Sequence, residues 1–293
     1  MANLKEIRTR IASVKTTRQV TSAMKMVSEA KLKKAQDAIL QIRPYADKLR
    51  NMLEMLEIDP EKQHDSVYAQ LREPDKVLIV IINSDRGLCG AFNDNVNKRA
   101  MELALYRYPK QLKKGKLWFL PIGKHAVKFL RFEKLPSVKA NELPDHLDFE
   151  SSTIISTELL NGFASKKYDR IELVYNVFKN AAVQLVANEQ FLPVETRVKR
   201  KTAFEEHYDF IYEPSHEYLA KELIPKLLRI QFYKALLDSN AAEHGARMTA
   251  MHKATDNATE LIQELTLTFN KARQAAITNE ILEVTNGAEA LNG

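Results

Sequence analysis

Apolar residues return every three and four positions at both ends of this chain, over stretches longer than a compact domain is wide. At the N-terminal end they are Leu4, Ile7, Ile11 and Val14, then Leu32, Ala35, Ile39, Ile42, Ala46, Leu49, Leu53 and Leu56. Alternating three- and four-residue spacing is the seam of a left-handed coiled coil. Asn3 and Glu6 have the spacing of a capping box at its start. Pro44 predicts a kink, because proline removes one backbone donor and crowds the preceding turn. A helix from Leu4 to Leu56 would run roughly 80 Å at ~1.5 Å per residue. Between the two apolar stretches the frame positions are Arg18, Thr21, Lys25 and Ser28, while Val20, Met24 and Val27 sit one position off. That offset predicts a phase shift that changes the local winding.

The C-terminal end carries a second seam. It runs Ile230, Leu237, Ala241, Met248, Met251, Ala258, Ile262, Leu265, Phe269, Ala272 and Ala276, with Lys234, His244 and Thr255 as polar positions. After Ala276 the frame slips to Ile277, Ile281, Val284, Ala288 and Leu291. The two ends differ in charge. Met1 to Arg50 holds twelve Lys/Arg against four Asp/Glu, and Ile230 to the end holds five against eight. Opposite charge and two seams on one chain predict arms folded back on each other, antiparallel.

The texture between the arms is different. Asp75 to Ile82, Lys116 to Gly123, Arg170 to Phe178 and Ala182 to Phe191 read as strands, with a weaker β-like run at Tyr208 to Tyr212. Helical patterns fall at Asn93 to Tyr106, after Gly123 to about Phe132, and at Glu150 to Ala164. Strands alternating with helices predict an α/β unit with a partly parallel sheet. The expected fold is therefore a small Rossmann-like α/β domain, residues 61–212, inserted into a long antiparallel two-helix coiled coil of residues 1–60 and 213–293.

The stretch NSDRGLCGAF, Asn83 to Phe92, joins the first strand to the next helix. A nucleotide phosphate sits at such a place in many α/β enzymes. Here only G-x-x-G is present, without the third glycine of a dinucleotide fingerprint or the Lys-Ser/Thr of a Walker loop. The seven histidines are scattered and the single cysteine, Cys89, has no partner for a disulfide or a zinc site. No apolar run approaches the roughly 20 residues that span a bilayer. The charged start MANLKEIRTR has no apolar core of a signal peptide. These features predict no cofactor, no metal and no catalytic residue in a chain of 45% hydrophobic and 28% charged residues with net charge +6. Two other readings stay open on the residues alone. One is a nucleotide-binding α/β protein with coiled-coil arms. The other is a helical tether that binds nucleic acid through its basic arm, although that arm lacks interleaved aromatics.

Three segments carry a specific resemblance. MANLKEIRTRIASVKTTRQVTSAMKMVSEAKLKKAQ, SDRGLCGAFN and ARMTAMHKATDNATELIQELTLTFNKARQAAITNEILEV closely resemble, in order and across the whole chain, the gamma subunit of F-type ATP synthase. The resemblance implies a non-catalytic rotor, with alpha and beta subunits, the epsilon subunit and the c-ring as partners and no nucleic acid. It implies a peripheral position on the cytoplasmic face of a bacterial inner membrane. It also implies roles for particular residues. Arg273, Gln274 and Thr278 match positions that contact the beta-subunit catch loops. Met24, Lys25 and Arg247 match the lower bearing toward beta, with Lys25 basic where relatives often carry an acid. Gly87, Cys89 and Gly90 match a turn near the epsilon contact, and Tyr212 and Glu213 match the region that meets the c-ring.

Overall fold

The structure, a computed structural model, describes residues 4–55, 67–70, 72–139, 147–181, 183–194, 213 and 216–292. Its elements are α1 (Leu4–Met55), β1 (Val77–Ile82), α2 (Phe92–Glu102), a π-helical segment (Leu103–Arg107), α3 (Pro109–Lys113), β2 (Leu117–Ile122), α4 (Lys124–Phe132), α5 (Phe149–Ala164), β3 (Arg170–Phe178), β4 (Gln184–Leu192) and α6 (His216–Asn292). Pro44 and Pro225 both lie inside helices, so neither ends its element. The weak β-like run at Tyr208 to Tyr212 lies outside the described residues.

The chain divides into two compact units. Unit 1 comprises residues 1–29 and 247–293, and unit 2 comprises residues 30–246.

Unit 2 is built on a four-stranded sheet of order β2-β1-β3-β4. β1 pairs in parallel with β2 and β3, and β4 returns antiparallel on β3. β1 reads as an unbroken apolar run because both of its faces are covered. Leu78, Val80 and Ile82 pack with Leu159, Phe163, Leu228 and Phe232 of α5 and α6. Val77, Ile79 and Ile81 pack with Val96, Ala100 and Leu130 of α2 and α4. Burial on this scale is the main stabilising term, at roughly 25 cal/mol per Å² of apolar surface. Within the same unit Ala46 and Leu49 of α1 cluster with Ile230 of α6.

The helix expected through Tyr106 changes winding at Leu103. The Tyr108 N–H bonds the Leu103 carbonyl, five residues back, at 3.0 Å. Pro109 follows and cannot continue an α-helical donor series. The wider turn carries Arg107 and Tyr108 to Glu172, whose side chain is fully buried on β3. The Tyr108 hydroxyl donates to Glu172 Oε1 at 2.5 Å, Arg107 lies 3.3 Å from the same oxygen, and Asn188 Nδ2 donates to Oε2 at 3.3 Å. Burial, then the bond to Glu172, pushes the Tyr108 phenol up to about 12.

A second acid of this unit, Asp238, is only 7% exposed. It is faced by Lys234 on its own helix, Arg43 on α1, Glu189 on β4 and Tyr175 on β3. Burial raises its pKa above 3.8, the lysine and arginine oppose that rise, and Glu189 adds to it. The folded state therefore holds this proton more tightly than the unfolded chain does. Its stabilising contribution is present at low pH and is lost as pH rises through the folded pKa. Asp238→Asn is expected to raise stability at neutral pH, with the gain shrinking as pH falls into the ordinary carboxylate range. Thermal melts of both chains between pH 3.5 and 7 check this, and a pH-independent difference would show that ionisation is not the cause.

In unit 1 the two chain ends meet through their side chains. The Arg8 guanidinium sits 5.6 Å from the centre of the Phe269 ring. Thr255 donates to Thr21 Oγ1 at 2.9 Å, and Thr21 donates onward to the Arg18 carbonyl at 3.0 Å. As α1 advances from Arg8 to Thr21, its partner on α6 retreats from Phe269 to Thr255.

The expected phase shift near Val20 does not occur. Thr21 and Ser28 are 9% and 2% exposed, in step with Ile7 at 5%, whereas Val20 and Val27 are 52% and 57% exposed. The heptad frame runs straight through the polar positions. Each hydroxyl bonds a carbonyl of its own helix, so burial leaves no donor unpaired.

Candidate functional site

The glycine turn after β1 lies where the sheet order reverses, since β1 leads to β2 on one side and is flanked by β3 on the other. In open α/β sheets a ligand sits in this crevice. Here protein groups occupy it. Cys89 and Phe92 pack against Ala242 and Ala246 of α6, with Phe178 alongside. The Phe92 N–H, first of the helix, bonds the Cys89 carbonyl at 3.3 Å. Asn93 Oδ1 accepts from the Ser84 N–H at 3.0 Å, and its amide donates to Ser84 Oγ at 2.9 Å and to Cys89 Sγ at 3.3 Å. Asn83 donates to Asn97 Oδ1 at 2.7 Å, and its own Oδ1 is buried without a partner among the described residues. Asp94 lies in the first turn of α2, and Asp85 Oδ1 accepts from the Lys124 N–H at 2.8 Å. A phosphate would face two carboxylates and find the first helical N–H already used.

The three turn residues singled out above play different parts. Cys89 is 2% exposed, so it packs the turn from inside and cannot be the atom a partner touches. The outer surface belongs to Gly90 and to Leu88, which is 65% exposed at φ 62°. Gly90 has φ 61°, the left-handed region that disfavours a Cβ, whereas a Cβ on Gly87 would meet only His125 at an ordinary 3.5 Å. Gly90→Ala is expected to cost about 1 kcal/mol and Gly87→Ala a few tenths. Urea unfolding of the two variants checks the order, and equal losses would refute it.

Met24, Lys25 and Arg247 all belong to unit 1. Met24 and Lys25 are half-buried and Arg247 is 7% exposed. Arg18, Ser22, Met26, Thr255 and Thr259 line a shallow open groove in this unit. Sequence reasoning placed the apolar residues here in a shifted seam. Instead Met24 is half-buried, and Val20 and Val27, 52% and 57% exposed, stand on the surface of α1, as does Met26. Heptad counting alone finds them, because Thr21 and Ser28 fall on the same frame as Ile7, Val14 and Ala35.

Arg273, Gln274 and Thr278 follow one another on α6, just past the half-buried Ala272. Every residue from Arg273 to Ala288 is exposed, including Ile277, Ile281, Leu282 and Val284. The Thr278 hydroxyl donates to the Gln274 carbonyl at 2.9 Å, so it is engaged within its own helix. Glu213 is exposed, and Tyr212 lies outside the described residues. The candidate residues thus form separate groups and no single site. Among the described residues no cluster of metal-ligand type exists, and no helix is long and apolar enough to cross a membrane.

In sequence a small α/β unit lies between two long helices, and the candidate residues fall on helix faces and on the glycine turn. A family model described as ATP synthase matches residues 3–291. ATP synthase gamma chains of Flavobacterium johnsoniae and Christiangramia forsetii are 54% and 52% identical to it, each over all of both chains. A chain in the central stalk and c-ring of Tetrahymena thermophila mitochondrial ATP synthase matches with TM-score 0.60 and 27% identity, over 80% of this chain and 99% of that one. A chain of the Euglena gracilis mitochondrial enzyme matches with TM-score 0.67 over 98% of this chain and 94% of that one, and at 20% identity it speaks for the fold alone. The chain belongs to the ATP synthase gamma chain family.

Proposed function

We propose that the chain is the central-stalk rotor of an F-type ATP synthase, non-catalytic itself, coupling rotation of the c-ring to the catalytic beta subunits of the alpha/beta ring. The observation that carries this reading is the tail of α6, exposed from Arg273 to Ala288 with four large aliphatic side chains that the other described residues leave uncovered. Surfaces of that kind mark an interface. Arg273, Gln274 and Thr278 would meet beta there, and Met24, Lys25 and Arg247 would form the lower bearing, beside the exposed Val20, Met26 and Val27.

We read residues 1–60 and 213–293 as an antiparallel coiled-coil shaft. The Arg8–Phe269 and Thr21–Thr255 contacts and the unbroken heptad burial support it. Residues 61–212 are then a Rossmann-like foot, supported by the parallel β2-β1-β3 order with helices on both faces. The foot carries the epsilon contact near Leu88 and Gly90 and the c-ring contact near Tyr212 and Glu213. The complex places the chain at the cytoplasmic face of a bacterial inner membrane, as a peripheral subunit. Torque is passed by rigid-body rotation between packed states.

The test is affinity purification through a tag on this chain, followed by single-molecule observation of a probe fixed to unit 2. Co-purification of alpha, beta, epsilon and c, with stepwise probe rotation on adding ATP, is expected. ATP hydrolysis by the purified complex with a static probe would overturn the rotor reading.

A further inference from the structure

Charge in unit 2 is polarised across the sheet. Leu105 to Lys116 holds five Lys/Arg and no carboxylate, and Lys128 to Lys139 holds four against Glu133 alone. Of the two helices covering the opposite face, α5 has Glu150 and Glu158 and no basic residue, and α6 mixes Lys221, Lys226, Arg229 and Lys234 with Glu217, Glu222 and Asp238. Two of the nine cations are engaged, Arg107 with Glu172 and Lys116 with Asp75. Lys114 adds a longer-range attraction to Asp75, and among the described residues Lys110, Lys113, Arg131 and Lys134 form no ion pair.

The topology gathers these charges at one end. β1 and β2 are parallel neighbours, and α2 and α4 both return across the same face, where Leu103, Ala104 and Leu130 share one core. Their C-terminal ends therefore lie at the edge where β1 and β2 begin. α3 is tied to that edge through Gln111 Nε2, which donates to the Pro74 carbonyl, and through the Gln111 carbonyl, which accepts from the Lys116 N–H at 2.9 Å. Two aromatic rings project from the same edge. Tyr106 is 84% exposed and Phe132 is 82% exposed, far beyond what folding requires of an aromatic.

We propose that this edge is a docking surface for an anionic phospholipid membrane. Unpaired lysines and arginines around isolated protruding Tyr and Phe rings are the chemistry of interfacial lipid binding. The cations meet headgroup phosphates while the rings enter the interfacial zone. A protein partner of comparable affinity calls for a contiguous apolar centre, whereas here the apolar groups are single rings separated by charge. The inference concerns the surface chemistry of unit 2 and holds whether or not the chain turns as a rotor.

The experiment is co-sedimentation of the full chain with vesicles of phosphatidylcholine alone or with 30 mol% phosphatidylglycerol. Each cation brought to an anionic surface is worth roughly a fivefold gain in partition. The chain should bind the anionic vesicles, lose binding at high salt, and bind neutral vesicles weakly. K110Q/K113Q/K114Q should lower partition by at least about tenfold. K179Q/K221Q/K226Q, with the same change in net charge, should lower it less than about twofold. Tyr106→Ser with Phe132→Ser should weaken binding while the salt dependence persists. Equal loss in both triple variants would reduce the effect to net charge and overturn the proposal. So would absence of vesicle binding, or binding only to an acidic protein. Unchanged far-UV dichroism of each variant ties any loss to the surface.

Discussion

Gly123→Ala is expected to destabilise unit 2 more than any other single methyl added to the chain. Gly123 ends β2 and starts α4 with φ 89° and ψ 147°, a conformation open to glycine. A Cβ there would lie 2.2 Å from the Asn83 carbonyl oxygen and 2.8 Å from its carbon. Neither side can retreat. The Asn83 N–H donates to the Ile122 carbonyl at 2.9 Å, and the His125 N–H donates to the Ser84 carbonyl at 3.2 Å. Relief therefore requires two backbone hydrogen bonds to break, at about 1 kcal/mol each, on top of about 1–2 kcal/mol of left-handed strain. A total near 4 kcal/mol is a large part of a domain's net stability of 5–15 kcal/mol. For a unit of this size it corresponds to a fall in Tm of roughly 8–16 °C. Thermal unfolding followed by circular dichroism measures it. A fall of less than about 3 °C would mean that the β1 and β2 ends can part at little cost.

Gly123 shows which features the sequence made legible and which it did not. β1 was readable because it is covered on both faces and is apolar throughout, and β3 because most of its positions are apolar although Glu172 and Asn176 are buried within it. The long helices were readable because one face repeats. The requirement at Gly123 comes from Asn83, forty residues earlier, and no local pattern encodes it. The π segment is set likewise by Tyr108 and Arg107 reaching Glu172 across the sheet. Thr21 and Ser28 were misjudged for a different reason. Polar letters weigh against burial, yet a small hydroxyl that bonds its own helix fits a close helix contact at little cost. Val20 and Val27 were misplaced by the same error, since both are exposed. At the glycine turn the absence of a Walker or dinucleotide pattern was legible. That Ala242 and Ala246 of α6 fill the place was not.

The second large effect is expected on turnover and not on stability. Arg273 and Gln274 are exposed, outside the covered seam, and among the described residues no side-chain hydrogen bond or ion pair of either holds the fold. Exposed helix positions of this sort change stability by less than about 0.5 kcal/mol on replacement by alanine, which is itself the best helix former. On a helix the two side chains point about 100° apart, so as the shaft turns they present donors to different neighbours. A guanidinium facing a carboxylate inside a sleeve is partly desolvated, and such charge-assisted bonds are the strong ones. Losing one costs about 1.5–3 kcal/mol, which in a transition state is roughly a ten- to hundredfold loss of rate. Arg273→Ala with Gln274→Ala is therefore expected to leave the melt of the chain and its assembly on a native gel unchanged. The same variant should lower both ATP synthesis and hydrolysis of the reconstituted complex by at least about tenfold. Normal turnover in the double variant would remove Arg273 and Gln274 from the coupling and leave the shape of the helix alone to carry it.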